Sequence, residues 1–380
     1  MLKNSKFISS DTLKKIVIKL GTGVLSAGNG NIRTDRMQVL ANSMAKMVAS
    51  SGTEFVIVSS GAVGLGMGKL GIKQRPKDLA LLRACASVGQ CLLMNAWSKS
   101  LEKSNLIASQ VLLTREDFEN LERTQKVQET LASLAANGII PIVNENDSVS
   151  DEEIKFGDND VLSAMLASLG RADFLIILST AKGLMTHPSS GTLIPFVAEI
   201  TPSIESMAKG TSSETAVGGM VTKIEAAKIA TGSGCATFIG SGENLSRLID
   251  IINGNNPQGT FFAPSGLDLS GRKKWLAFFP SPKGSIIVDD GAVDAILNNG
   301  SSLLAVGVSN ISGNFEKADV VELKDSNETV FARGISRFSK DQLLKIKGMQ
   351  NEKILSMFPG KIRPEVVHRD HLAPLQIEKS

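Results

Sequence analysis

"GIIPIVNENDSVSDEEIKFGDND", residues Gly138–Asp160, joins an apolar run to a strongly acidic one. From Asn144 onward it holds seven carboxylates, Glu145, Asp147, Asp151, Glu152, Glu153, Asp158 and Asp160, against a single cation, Lys155. The apolar part is short and continuous rather than alternating, as expected of a parallel strand buried on both faces. Five other runs share that character: "KIVIKL" (Lys15–Leu20), "EFVIVSS" (Glu54–Ser60), "IASQVLL" (Ile107–Leu113), "DFLIIL" (Asp173–Leu178) and "ATFIG" (Ala236–Gly240). Helical stretches separate many of them. One is capped by Thr34, with Met37, Leu40, Met44, Met47 and Val48 as its core face; another opens at Pro76 and runs to about Lys103. Strand and helix repeated in this way predict an α/β fold, an open, largely parallel sheet sandwiched by helices. Ligands on such sheets sit outside the carboxyl ends of the strands. The acids that follow Val143 therefore lie where a site belongs.

Composition narrows the function classes. The chain has 380 residues, 42% of them hydrophobic, with no Tyr and 4% aromatics, so its core must be aliphatic. A formal net charge of +3 is small for this length and points neither to nucleic acid nor to an anionic membrane surface. Three Cys (Cys85, Cys91, Cys235) without a CxxC pair fit reduced thiols in a cytoplasmic protein, with Cys85 and Cys91 read as helix-packing residues. The start "MLKNSKFISSDTLKK" carries no signal-peptide pattern, and no apolar run approaches the ~18 residues of a membrane span.

The character changes near Gly254. Gly, Pro, Asn and Ser crowd "NGNNPQGT" and "APSGLDLSGRKK", which predicts a domain over 1–258, a linker over 259–283 and a small β-rich domain over 284–370. The last holds short strands ("SIIVD", "LLAVGV", "VVEL", "TVFARGIS") and two helical pieces, Gly291–Asn299 and Lys340–Lys347.

Among the glycine clusters, "GMGKLG" (Gly66–Gly71) matches G-x-G-x-x-G but is out of place. The preceding strand ends near Ser60, and no acid follows ~20 residues on to hold a ribose, so a helix end is expected there. Two other clusters are better placed. "KLGTG" (Lys19–Gly23) leaves the first strand, and "VGGMVTK" (Val217–Lys223) opens a helical stretch, Met220–Thr231. Glycines at a helix start let backbone N–H groups approach a phosphate, and the helix dipole favours the anion. A lysine ending a central strand is costly unless it meets an anion. Either cluster alone also suits a tight turn with a solvated lysine.

Taken together, "IVIKLGTGVL", "VIVSSGAV", "VGQ", "LLTREDF", "PIVNENDSV", "KFGDNDVLSA" and "GGMVTKIEAA" resemble the amino-acid kinase family, in its glutamate-phosphorylating branch. "VDDGAVDAIL", "GSSLLAVGV", "GNF", "RGISRFS" and "VVHRD" resemble the PUA domain attached to many bacterial members. The resemblance implies ATP-dependent phosphorylation of the side-chain carboxylate of L-glutamate, an early step of proline biosynthesis, with ATP and Mg²⁺ and without direct protein ligation of the metal. It also implies feedback inhibition by proline, a homo-oligomer and a downstream reductase. By the same resemblance Lys19 and Lys223 contact the transferring phosphoryl oxygens and Asp160 orients them. Ser60, Asn144, Asp147 and Asn159 bind the amino acid. The nucleotide lies along Lys19, Ser179, Thr180, Val217, Gly218, Gly219, Met220, Val221, Thr222 and Lys223. Four places depart from the usual pattern: Gly23 for Ser, Ser179-Thr180 for Thr-Asp, Val217 for Thr and Val221 for Ser. Each removes a polar group beside the expected nucleotide.

The chemistry fits the residues. A glutamate side chain, of pKa ~4.3, is already ionised at neutral pH and needs no general base. No His occurs in any of these clusters; the three are His187, His368 and His371. What remains is to hold two anions in line and neutralise the spreading charge. Asp147 is the expected partner of the substrate ammonium, Asp151, Glu152 and Glu153 are expected on a solvated loop, and "TRED" (Thr114–Asp117) reads as a capping pattern. Other readings are a carbamate, acetylglutamate or aspartate kinase of the same fold, a non-catalytic ligand sensor, and an RNA-binding factor. The last is opposed by 12 Lys+Arg against 13 Asp+Glu over residues 284–380.

Overall fold

Each of the six apolar runs is a strand of one sheet in the computed structural model, which describes residues 13–28, 30–149, 159–187, 191–209, 219–255, 258–265, 271–357 and 363–375. Asp151, Glu152, Glu153, Lys155, Asp158, Val217 and Gly218 lie outside the described residues. The chain divides into two compact units, Met1–Asp117 with Leu121–Gly266, and Phe118–Asn120 with Leu267–Ser380.

The first unit runs β1 (Lys15–Leu20), α1 (Thr22–Leu25), a small hairpin of β2 (Ser26–Gly28) and β3 (Asn31–Ile32), α2 (Thr34–Ser51), β4 (Glu54–Ser59), α3 (Ala62–Lys69), α4 (Leu79–Glu102) and β5 (Ile107–Leu113). It continues through α5 (Glu116–Glu119), whose last two residues belong to the second unit, α6 (Leu121–Ala136), β6 (Ile139–Glu145), α7 (Asn159–Leu169), β7 (Phe174–Ser179), β8 (Phe196–Val197), α8 (Pro202–Lys209), α9 (Met220–Gly232), β9 (Ala236–Ser241), α10 (Leu248–Ile252) and β10 (Gly259–Phe262). Sheet order is β5-β6-β4-β1-β7-β9-β10-β8. The first six strands are mutually parallel; β10 is antiparallel to β9 and parallel to β8. One face, with Ile16, Ile18, Phe55, Ile57, Phe174 and Ile176, packs against Met37, Leu40 and Met44 of α2 and Leu93, Trp97 and Leu101 of α4. On the other side α7 is buried from Asp160 to Ser168 and packs against α9 and β1. Small residues at Ser163, Ala164, Ala167 and Ser168 suit so close an approach.

Local chemistry sets the boundaries, and some differ from expectation. Arg33, not Thr34, occupies the N-cap of α2, and no side chain caps it; Thr34 is the first helical residue. Helix α4 begins after Asp78, whose carboxylate accepts from the N–H groups of Ala80 and Leu81, rather than at Pro76. By length and composition α4 could cross a membrane, contrary to the sequence expectation. Here it is a core helix, with Cys85, Leu93, Trp97 and Leu101 buried. The "TRED" turn behaves as a cap: Asp117 Oδ2 accepts from the Thr114 N–H at 2.7 Å and from its hydroxyl at 3.0 Å. Cys85 and Cys235 are buried, but Cys91 is exposed and so does not pack as expected.

The out-of-place "GMGKLG" has a packing reason. A Cβ on Gly66 would stand 1.8 Å from the Cys85 carbonyl oxygen, and one on Gly89 would stand 1.7 Å from the Ala62 carbonyl oxygen. The glycines let α3 and α4 touch backbone to backbone.

The second unit contains α11 (Gly271–Phe278), β11 (Gly284–Val288), α12 (Asp290–Leu297), β12 (Leu303–Leu304), β13 (Val308–Gly313), β14 (Val320–Lys324), β15 (Val330–Ser336), α13 (Lys340–Ile346), α14 (Asn351–Met357) and β16 (Glu365–Pro374). Its sheet order is β12-β16-β15-β14-β11-β13, antiparallel except for β11 with β14. Ile286, Val288, Phe315, Leu323, Phe331 and Val366 lie in its core. The stretch 259–283, expected as a linker, is structured at both ends: β10 belongs to the first sheet and α11 to the second unit. Phe118 is fully buried in that unit. Its ring meets Phe279 edge-on at 5.6 Å, and its carbonyl accepts from Trp275 Nε1 at 2.7 Å.

Candidate active site

Three charged side chains converge beyond the carboxyl end of the central strands. Lys19, near the end of β1, reaches Asp160 Oδ1 at 2.5 Å. Lys223, in the first turns of α9, reaches Asp160 Oδ2 at 2.9 Å. All three are buried, at 3%, 4% and 0% exposure respectively. The Thr222 hydroxyl lies 3.3 Å from Asp160 Oδ2 and donates to the Gly219 carbonyl at 2.9 Å. Asp160 sits in the first turn of α7, where the helix dipole favours a carboxylate. Two buried ammonium groups aimed at one carboxylate form a locally cationic cluster of the kind that suits a phosphate anion. The packing of α7 between β1 and α9 brings the three together, although 204 positions separate Lys19 from Lys223 (223 − 19).

Beside this cluster runs a chain of neutral polar groups. Asn159, the first residue of α7, donates through Nδ2 to Ser60 Oγ at 2.8 Å and to Asn144 Oδ1 at 2.9 Å. Asn144, on β6, donates through its own Nδ2 to Gln90 Oε1 on α4 at 3.0 Å. Ser60 is held by the strand ends, its N–H donating to the Leu20 carbonyl at 3.2 Å. Next to it, Ser59 Oγ accepts from Trp97 Nε1 at 2.9 Å. A cavity of about 80 Å³ opens beside Ser60, lined by Thr22, Ser26, Asn31, Gly61 and Gly64 among others. Gly61 has φ +113°, a left-handed turn that glycine makes without strain as the chain enters α3. Asp147 lies two residues beyond β6, half-buried.

On the opposite flank, Ser179 ends β7 and its hydroxyl accepts from the Ala181 N–H at 3.1 Å. Thr180 follows, exposed. Gly219 caps α9, and Met220, Val221 and Thr222 make its first turn, with Val221 exposed. N–H groups of a first helical turn have no intrahelical acceptor, so these can serve an anion whatever the side chains are. Two of the four departures are coupled in space. A Cβ on Gly23 would stand 2.7 Å from the Thr180 methyl carbon. The bulk of Thr180 thus occupies the room that a side chain at position 23 would need.

Lys19, Lys223 and Asp160 form one cluster, and Ser60, Asn144 and Asn159 form one hydrogen-bonded chain. Gln90 joins that chain although the sequence reading assigned it no role. Its signal is a polar residue in the apolar stripe of α4 shared with Ala86, Leu93, Trp97 and Leu101. Among the described residues no group of three or more His, Cys, Asp and Glu could hold a metal ion, and both Asp160 oxygens are turned to lysines.

The Amino acid kinase family matches residues 14–241, and the PUA domain matches residues 284–357. A protein named glutamate 5-kinase from Dehalococcoides mccartyi (strain CBDB1) is 41% identical over 373 residues, covering 96% of this chain and 99% of that one. Proteins of the same name from Moorella thermoacetica (strain ATCC 39073 / JCM 9320) and Geobacter sp. (strain M21) are 41% and 40% identical, covering 95% and 96% of this chain and 96% and 98% of theirs.

Proposed function

The chain belongs to the amino acid kinase family, in its glutamate 5-kinase branch, and from that premise we propose that its site transfers the terminal phosphoryl group of ATP to the side-chain carboxylate of L-glutamate. The observation that carries the reading is the buried convergence of Lys19 and Lys223 on Asp160 beyond the strand ends. Both ammonium groups are preorganised where negative charge would spread over the transferring oxygens, and in a dry site such charges act strongly. Asp160 keeps the two lysines from repelling one another and aims them. The nucleophile is an ionised carboxylate, so no side chain has to remove a proton. The task left to the protein is alignment of two anions.

In this reading the amino acid occupies the side lined by Ser60, Asn144, Asp147 and Asn159, with the Asp147 carboxylate meeting the ammonium group. The nucleotide phosphates lie against Lys19, the start of α9 and the end of β7. The departures at Gly23, Thr180 and Val221 leave the backbone donors of α9 and Lys223 in place, so phosphate contacts persist while side-chain contacts to the rest of the nucleotide are fewer. Mg²⁺ fits as an ion carried by the phosphates, a habit that follows from its need for oxygen ligands and retained waters. Bound there, it would screen phosphate charge. The product is an acyl phosphate, a reactive species that a reductase consumes downstream.

Hydroxylamine traps acyl phosphates as hydroxamates, which gives the test. Glutamate-dependent, ATP-dependent and Mg²⁺-dependent hydroxamate formation is expected. Product from aspartate or acetylglutamate and none from glutamate would overturn the substrate assignment. Free proline retains an α-carboxylate and a cationic amine but lacks the nucleophile. It is therefore expected to inhibit in competition with glutamate in the same assay; inhibition unrelieved by saturating glutamate would place it at another site.

A further inference from the structure

We infer that Gln90 is a positioning residue whose amide orientation sets which end of Asn159 the glutamate site presents, making that end an acceptor for the substrate ammonium. The inference rests on the glutamate reading above. Each carboxamide has one acceptor end and one donor end, so a chain of them has a direction. Gln90 Oε1 accepts from Asn144 Nδ2. That contact turns Asn144 Oδ1 toward Asn159, where it accepts from Asn159 Nδ2. The same Nδ2 spends its other hydrogen on Ser60 Oγ. Asn159 Oδ1 is then the open end of the chain. It is buried and has no hydrogen-bond partner among the described residues.

Reversing the first amide would reverse them all. With Gln90 Nε2 toward Asn144, two donors would face each other unless Asn144 turned over. Asn159 would then have to turn as well, and would present an NH₂ group outward. An NH₂ group repels an ammonium, whereas a carbonyl oxygen accepts from it. The polarity of the open end is therefore chosen two side chains away, at Gln90.

Two further observations support a positioning role. Gln90 is 8% exposed, and its Nε2 is buried without a partner among the described residues. An aliphatic side chain would fill the same place on this apolar helix face without leaving a buried donor unpaired, which is costly. A glutamine there is explained by its oxygen. The helix is also locked in place at this point, since Gly89 lies against the Ala62 carbonyl with no room for a Cβ. The acceptor of Gln90 thus has a defined position relative to β6 and to the start of α3.

The experiment compares L-glutamate with glutarate, which keeps both carboxylates and lacks the ammonium. Gln90→Met is nearly isosteric and removes the acceptor. It is expected to raise the glutamate KM about 10- to 100-fold, the range of a hydrogen bond to a charged group, with kcat little changed. The inhibition constant of glutarate, measured as a competitor, should stay at its wild-type value. Gln90→Glu, which keeps an oxygen toward Asn144, should restore the preference for glutamate; Gln90→Leu repeats the comparison if the methionine variant does not fold. Equal weakening of both acids, or an unchanged glutamate KM, would reduce Gln90 to a packing residue and overturn the inference. Failure of the wild-type protein to bind glutamate would be a different result, since it removes the substrate assignment and this inference together.

Discussion

At the scale of single residues, the Lys19–Asp160–Lys223 triad separates chemistry from binding. In the proposed reaction both lysines act on charge that develops during transfer, so Lys223→Ala and Lys19→Ala should lower kcat by about 10²–10³, comparable to removal of one preorganised donor, and move the glutamate KM far less. Asp147→Ala should do the opposite and chiefly raise the glutamate KM. Steady-state rates with each substrate varied in turn check both; near wild-type kcat in Lys223→Ala would contradict the phosphate-site assignment. Asp160→Asn removes the carboxylate that both buried ammonium groups meet. It should cost about 3–5 kcal/mol of folding stability, as for other buried pairs broken on one side, and ATP with Mg²⁺ should recover part of it because bound phosphate replaces the missing anion. Thermal unfolding with and without nucleotide measures this.

The contact of α3 with α4 decides where Ser60 and the start of α3 stand. Two glycines, Gly66 and Gly89, let one helix lie against the carbonyl groups of the other. Gly66→Ala would drive a methyl group into the Cys85 carbonyl, and no flexible side chain can yield there. The helices must separate, at a cost of about 1–3 kcal/mol or more. A lower urea midpoint with an unchanged slope is expected, together with a raised glutamate KM, because Ala62 and Gly61 move with α3. An alanine variant of wild-type stability would mean that the two helices are not held at this distance.

The whole molecule bears on how the chain can be cut. Phe118–Asn120 lies inside the sequence of the first unit yet belongs to the second. Phe118 is buried there between Phe279 and the Trp275 indole, and Glu119 accepts from Ser281 Oγ at 2.6 Å. A fragment ending at residue 262 keeps β10 but strands Phe118 without its partners. It should fold and turn over glutamate, with a lower Tm and a tendency to associate. Phe118→Ser in the fragment should relieve the association while destabilising the full-length chain. If the fragment matched the full chain in Tm and solubility, the Phe118 insert would have no structural weight.

What the sequence alone determined were the features written locally. A continuous apolar run such as Ile16–Ile18 or Phe174–Leu178 cannot be left in water or laid on a one-sided sheet, so parallel strands followed from composition. Lys19 could be picked out because burying a charge demands a partner, whereas Asp160 and the amino-acid-binding residues were named through the family resemblance. Where the element boundaries depended on side-chain caps, as at Asp78, or on a short strand such as Phe196–Val197, local signals were too weak to place them. β10 was lost in a Gly- and Pro-rich stretch because its strand character comes from pairing with β9. Only the tertiary structure decided who meets whom. Lys19 and Lys223 share one carboxylate because α7 is packed between β1 and α9. Gln90 joins the site because two glycines bring α4 hard against α3. A side chain at position 23 would have to displace Thr180, whose methyl group stands where its Cβ would approach. These are contacts between segments distant in the chain, set by packing and loop closure, and no reading of neighbouring residues contains them.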